Sequence, residues 1–344
     1  MKLNTEPKPV LAICLNPAWQ KTLLFKKVNH GQVNRAYLVK QCGGGKGVNV
    51  VRVFRMLGLP IALAGFAGGD TGEKLKGEII GSGAFSLIVD TASMTRCCTT
   101  VISEENGEVT ELIEPSGSVS DAEQEALLCL IKERISEFGA VVCSGTVPPG
   151  VPPTFYASVA EAAIQQGIPF VLDAVNNIEP TLNAGMGVAA APPPCYEVAT
   201  APSPSNAQFG AGAIVLKINA SELRQIAGLA ALPEAANALL TRHPRLGALA
   251  VTDGAAPAWL FARGSSYKIT LPPLPHVVSA IGGGDCTAAI FTRRLAEGLK
   301  GDELADAFAE ALSCASASCL TDTPSLFDPA VAEEIRKQIE VVSG

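Results

Sequence analysis

Short runs of consecutive apolar residues alternate along this chain with segments whose apolar positions recur every three to four residues. Val10–Leu15, Ile61–Phe66, Ala140–Cys143, Ile168–Leu172, Ala213–Ile218 and Ala248–Val251 are runs of the first kind and predict strands buried on both faces. Val50, Val53, Phe54 and Leu57, stopped by Gly58, predict a helix; so do Glu73–Ile80, a segment from the N-cap Ser120 to about Glu137, Thr154–Gln166, Asp302–Leu320 and Pro329–Glu340. Strand, small turn, helix, strand is a βαβ rhythm, and its repetition predicts a mostly parallel sheet with helices packed on it. Two stretches break the rhythm. Lys21–Tyr37 alternates short apolar and polar pieces, and Thr95–Ile102 and Glu108–Ile113 flank Asn106-Gly107 as a hairpin; together they predict a small, exposed second sheet. Trp259–Ala262 and Tyr267–Leu271 predict a further hairpin. Met186–Gly212, rich in Ala, Pro, Gly and Ser, reads as an excursion after which the strand rhythm resumes.

Composition narrows the class. Of 344 residues 48% are hydrophobic and 17% charged, with no apolar run of membrane-spanning length, which predicts a globular protein without membrane partners. The polar opening Met1–Pro9 reads as no secretory signal, so a cytoplasmic location is expected. A net charge of -7 argues against broad nucleic-acid binding but leaves room for a local basic pocket. The ten cysteines form no CxxC pair, and His30, His243 and His276 have no metal-ligand spacing; reduced, mostly buried thiols and no structural metal are expected.

Candidate chemistry concentrates in two glycine-rich turns that each feed a helix. In Ser279–Ala289, Gly282, Gly283 and Gly284 leave the backbone bare before a helix N-terminus, where unpaired N–H groups and the helix dipole favour an anion. Asp285 follows. A carboxylate there repels an anionic ligand, yet it is placed to take a proton from a hydroxyl that attacks a phosphoryl group; the plain alternative is a helix cap. The second turn, Cys42–Asn49, is not a P-loop, because Lys46 is followed by Gly47. Arg96, opening the hairpin, reads as a surface charge or a ligand contact.

The ordered set Asn16-Pro17-Ala18, Gly43–Asn49, Gly68–Gly72, Thr95-Arg96, Ser144–Gly150, Lys217–Glu222, Val251–Gly254 and Gly282–Asp285 resembles that of the PfkB-type carbohydrate kinases, nearest the 1-phosphofructokinase and tagatose-6-phosphate kinase branch. The resemblance runs from about Val10 to Leu320. It implies a single α/β domain over 1–344, a ribokinase-like three-layer α/β/α fold with a mostly parallel central sheet, and a small β-sheet lid from segments at about 20–40 and 95–114. It implies ATP-dependent phosphorylation of a sugar-phosphate hydroxyl, with Asp285 as base and Gly282, Gly283 and Gly284 as anion hole. By the same resemblance Gln20, Gly44, Gly45, Lys46, Asn49, Arg96 and Ser144 face the sugar phosphate; Arg35, outside the matched motifs, is a further candidate cation for the phosphate. Lys217, Thr252 and Gly254 border the nucleotide, and Asn219 and Glu222 organise Mg²⁺ through water. A homodimer joined through the lid is also implied.

Three departures bear on substrate. Gln20, after the bulky Trp19, stands where the family's sugar-phosphate kinases usually have an Asp that grips a sugar hydroxyl; an amide forgoes the charge-assisted bond. Ala174-Val-Asn-Asn177 replaces a small, Gly-containing turn, and the excursion lengthens the path to Lys217. A ketohexose phosphate such as fructose 1-phosphate, tagatose 6-phosphate or fructose 6-phosphate is the expected acceptor. A kinase of an unphosphorylated sugar or nucleoside, and a catalytically weak sensor, are the alternatives.

Overall fold

The computed structural model describes residues 7–185, 212–299 and 303–344. The excursion expected at Met186–Gly212 lies outside the described residues except for Gly212. Seven strands, numbered in chain order, run parallel in the sequence β5 (Phe85–Asp90), β4 (Ile61–Ala67), β1 (Val10–Cys14), β8 (Ala140–Ser144), β9 (Phe170–Asp173), β10 (Ile214–Asn219), β11 (Leu246–Thr252). The sheet is completed by antiparallel β12 (Ala258–Ala262), β13 (Ser265–Thr270) and β14 (Glu340–Ser343). A parallel strand covered on both faces needs apolar residues at every position, which is what the continuous runs supply: β1 is buried throughout.

Alternate residues of those strands enter two cores. Ala12, Cys14, Val142, Val171 and Val215 pack with helices α1 (Lys46–Met56), α2 (Gly69–Gly81), α8 (Gly283–Ala296), α9 (Glu303–Ser318) and α10 (Pro329–Arg336). Leu11, Ile13, Val141, Leu172 and Leu216 pack with α3 (Asp121–Arg134), α4 (Phe155–Gln165), the single turn α5 (Glu179–Leu182), α6 (Ala220–Ala227) and α7 (Leu232–Arg242). The result is the expected three-layer α/β/α arrangement. Ser120 caps α3 as its sequence predicts, its hydroxyl accepting from Glu123 N while the Glu123 carboxylate accepts from Ser120 N.

A separate four-stranded sheet has the order β3 (Leu38–Gly44), β2 (Ala18–Phe25), β6 (Cys97–Ser103), β7 (Glu108–Ile113). Its outer pairs are antiparallel and its central pair parallel. The expected alternating stretch at 21–37 is corrected here: β2 starts earlier, at Ala18, and 26–37 contains no strand. The return strand β3 absorbs Gly43 and Gly44, which the sequence reading placed in the turn. Likewise α2 begins at Gly69 and not at Glu73, because Gly68 N and Gly72 are held by the Thr95 hydroxyl and Gly68 O. Among the described cysteines all are free. Cys14, Cys143, Cys286 and Cys314 are buried, Cys129 is exposed and the rest are half-buried, fewer buried than expected. No helix among the described residues is long and apolar enough to cross a membrane.

Candidate active site

The parallel strands β8, β9, β10 and β11 end side by side on Ser144, Asp173, Asn219 and Thr252, the edge at which open α/β sheets bind ligands. Over that edge stands the N-terminus of α8. Gly282 adopts the left-handed conformation (φ 85°), and its carbonyl accepts from the Ser325 hydroxyl at 2.8 Å, so the turn is braced from outside. Any side chain at Gly282 would strike Ser325, whose own backbone is also left-handed. The bare backbone that follows places Gly284 against the Lys217 ammonium, 2.7 Å from where a Cβ would stand.

Asp285, in the first turn of α8, is 7% exposed. Asn49 Nδ2 donates to its Oδ2 at 2.7 Å. Burial above all, then the like charge of Asp173, push the carboxyl up to about 6, against the pull of Asn49, Lys46 and Lys217. A carboxyl tuned to that value is ionised at neutral pH and is a stronger base than an exposed aspartate. Across from it, Asp173 Oδ1 accepts from both Lys46 Nζ and Lys217 Nζ at 3.3 Å. Burial works against the charge of Lys46, but Asp173 and Asp285 outweigh it and hold the ammonium above its usual value. Two carboxylates and two lysines thus face one another below the glycine turn.

The second glycine turn reaches the same place from α1. Gly45 (φ 112°) caps the helix, and a Cβ there would meet Cys14 Sγ and Pro17 Cα, so the turn lies directly on β1. Asn49 then faces Asp285 one turn into α1, and Arg52 one turn further donates to Asn49 Oδ1 at 2.6 Å. Gly44 lies against Gln20, whose Cβ and Oε1 are both 3.1 Å from a Cβ built at Gly44. Arg96 occupies a recess with Asn16: its Nη2 donates to Asn16 O at 3.3 Å, while Ser116 Oγ donates to Asn16 Oδ1 and Asn16 Nδ2 donates to Thr146 Oγ1. Arg96 Nε and Ser144 Oγ are buried with no protein partner. Arg35 is exposed on the connection between β2 and β3.

A cleft of about 630 Å³ opens on the other side of α8, lined by Thr252, Gly254, Leu274, Val277, Gly283 and Gly284 among others. Thr252 and Gly254 thus share this cleft with Gly283 and Gly284 of the glycine turn. Asn219 and Glu222 are engaged with each other at the start of α6: Asn219 Oδ1 accepts from Glu222 N and Glu222 Oε2 from Asn219 N, both at 2.9 Å. Among the described residues no three His, Cys, Asp or Glu side chains group to hold a metal.

Two residues of this site escaped the sequence reading. In the sequence Asp173 is no more than an acid directly after the apolar run Ile168–Leu172. Arg52 lies three residues after Asn49, a spacing that puts both on one helix face and could have flagged it.

Comparison with known proteins identifies the family. The model of the "pfkB family carbohydrate kinase" matches residues 9–191 and 198–329. A relative named ATP-dependent 6-phosphofructokinase isozyme 2, from Mycobacterium tuberculosis, is 27% identical over 339 residues, 95% of this chain and 91% of the relative. Among solved structures, the phosphofructokinase-2 from Escherichia coli in complex with fructose-6-phosphate superposes with a TM-score of 0.77 at 21% identity, covering 96% of this chain and 98% of that one. The Arabidopsis thaliana ribokinase complexed with ribose and ATP gives 0.67 at 19% identity, covering 97% and 99%. These likenesses establish the ribokinase-like fold. The family match takes in all seven parallel strands and both glycine turns, and on that extent the chain belongs to the pfkB family of carbohydrate kinases, which transfer a phosphoryl group from ATP to a sugar.

Proposed function

We propose that this kinase phosphorylates a hydroxyl of a ketohexose phosphate such as fructose 1-phosphate, tagatose 6-phosphate or fructose 6-phosphate, with Asp285 as general base. The observation that carries the reading is the buried Asp285 carboxyl, raised to about 6 and hydrogen-bonded by Asn49 at the mouth of the glycine turn. In this reading ATP lies in the cleft by Thr252 and Gly254 with its phosphates toward Lys217 and the N–H groups of Gly282, Gly283 and Gly284, of which Gly283 N–H would exchange its long bond to Ala280 O (3.4 Å) for the phosphate. Those donors meet the charge that develops in transfer. The acceptor sugar lies on the opposite side of Asp285, against Gln20, Gly44, Gly45, Lys46 and Asn49. Its phosphate is met by Arg96, with Ser144 and Arg35 as further contacts; the open Nε of Arg96 and hydroxyl of Ser144 support this. The relatives named phosphofructokinase favour a sugar phosphate over a free sugar.

The family implies Mg²⁺, and the site fits it sparsely. Asp173 Oδ2 is buried without a partner beside two lysines, an acceptor suited to a cation's water. Asn219 and Glu222, at the neighbouring strand end, would hold the ion through further waters. Bound Mg²⁺ supplies neutralisation of the phosphates. The small sheet would act as a lid that excludes water, within a single domain, and would join two copies of the chain.

Release of ADP, measured across a panel of ketohexose phosphates, free sugars and nucleosides, tests the reading. Saturable turnover confined to ketohexose phosphates is the expected result. Preference for an unphosphorylated acceptor would replace it with the second kinase reading, which Gln20 keeps relevant, and no turnover would leave a sensor.

A further inference from the structure

Asp285 is held by a side chain that is itself held. Asn49 Nδ2 donates to Asp285 Oδ2 at 2.7 Å, and Arg52 Nη1 donates to Asn49 Oδ1 at 2.6 Å. A guanidinium has donors only and an ionised carboxylate acceptors only, so an amide between them has one workable orientation: oxygen to Arg52, nitrogen to Asp285. Arg52 is fixed in turn. Its Nη2 donates to Gly43 O at 2.9 Å and lies 3.7 Å from Glu78 Oε1, while Glu78 Oε2 accepts from Gly43 N at 2.6 Å. The guanidinium thus binds the amide through one arm and, through the other, the strand end where the small sheet joins α1.

We propose that Arg52 is a positioning residue for phosphoryl transfer, fixing the Asn49 amide so that its NH₂ group faces Asp285 and keeps that carboxylate aimed at the acceptor hydroxyl. The proposal rests on the reading of Asp285 as base. Freed of Arg52, the Asn49 amide can turn over and present its oxygen to Asp285, or leave it, and the carboxylate loses both its aim and the donor that favours its charged form. The other groups around Asp285 would be unchanged: Asp173 on β9, Lys217 on β10, Lys46 on α1, Cys14 on β1 and Cys286 beside it. Loss of the amide's hold should therefore appear in the chemical step, with any change in binding confined to the acceptor that Asn49 faces and none in the nucleotide.

The test is a double-mutant cycle between Arg52→Gln and Asn49→Ala, with Asp285→Asn and Arg52→Lys alongside, read by single-turnover kinetics and nucleotide binding. Arg52→Gln should lower kcat on the order of 10- to 100-fold with KM for ATP within about twofold, the signature of misplacement and not of lost binding. In the Asn49→Ala background the same change should cost little, because Arg52 acts through the amide. The acid limb of kcat/KM should move to higher pH in Arg52→Gln, by roughly half a unit or more. Arg52→Lys, which keeps one donor toward Asn49 but not the fork, should recover part of kcat and of the limb. An equal loss from Arg52→Gln in both backgrounds, or wild-type kcat and limb in Arg52→Gln, overturns the proposal. If Asp285→Asn is inactive in that case, the base assignment survives and only the relay falls; if Asp285→Asn turns over normally, both fall. Should Arg52→Gln fail to fold, Arg52→Lys carries the cycle: a smaller kcat loss that vanishes in the Asn49→Ala background supports the proposal, and no loss, or an equal loss in both backgrounds, overturns it.

Discussion

At the scale of single residues, the base role proposed for Asp285 makes its charge state the quantity to test. Burial and Asp173 raise its carboxyl to about 6, so kcat/KM should decline as pH falls through that value, by roughly tenfold per unit below it. The stability effect has the opposite sign. An unfolded aspartate titrates near ~3.9, so between there and about 6 the folded chain holds the additional proton. The resulting stabilisation is full below the unfolded value and lost as pH rises through the folded one. Asp285→Asn should accordingly abolish turnover by about 10²–10⁴-fold or more while leaving the melting temperature at pH 7.5 equal or higher, an advantage that narrows toward pH 5. A melting temperature that drops at pH 7.5 would mean that the ionised carboxylate stabilises this site. Gly284→Ala perturbs the turn and its neighbour together: the added methyl stands at the anion turn and meets the end of Lys217, which must shift against Asp173 to make room. The fold should tolerate it, and kcat should fall with the displaced ammonium; unchanged kcat would remove Lys217 from the transfer step.

Elements show which parts of this could be read without coordinates. The hairpin around Asn106-Gly107, the Ser120 cap and the buried parallel strands were legible because each is decided by neighbouring residues: a turn dipeptide, a capping box, an unbroken apolar run. β3, β5, β14, α6 and α7 were not. Leu38–Gly44 becomes a strand only through pairing with β2, and the half-exposed Phe85–Asp90 only as the edge beside β4. At the site, the two glycine turns were legible as turns that feed helices, while the contacts of Asp173 and Arg52 were not: Lys46 lies 127 residues from Asp173, and Arg52 reaches Asp285 through two hydrogen bonds. Asn219 shows how one residue serves two levels. Its capping box starts α6, so Asn219→Ala should destabilise the protein by about 0.5–2 kcal/mol. Asn219→Ser should restore that stability, since serine caps as well, yet leave the Mg²⁺ requirement raised if the amide also orders the ion's water. Identical Mg²⁺ titrations for wild type and Asn219→Ser would confine the residue to capping. Gly282→Ala, forced into a left-handed backbone against Ser325, should lower stability by about 1–3 kcal/mol as well as activity, in contrast to Gly284→Ala.

For the molecule as a whole, one face of the small sheet carries an apolar row that calls for a cover. Register places Leu38, Leu24, Ile102 and Val109 side by side across all four strands, on the face that also carries Gln20. Leu38 and Val109 are 42% and 52% exposed, and Ile113 on the same face is 61% exposed. An apolar row on an open four-stranded sheet is costly in water and is stabilised when covered, at about 25 cal/mol per Å² of apolar surface removed. A second copy laying the same row against it would bury that surface symmetrically, and it would also bring the two Gln20 sides of the sites close to the interface. On this proposal Leu38→Glu combined with Val109→Glu should leave each chain folded, since both side chains are exposed, but shift the protein to monomers in light scattering. The acceptor KM should rise while ATP affinity in the cleft across α8 stays near its original value. If the wild-type chain is already monomeric at micromolar concentration, or if the double variant remains a dimer with unaltered acceptor KM, the row has another occupant and the lid closes without a partner.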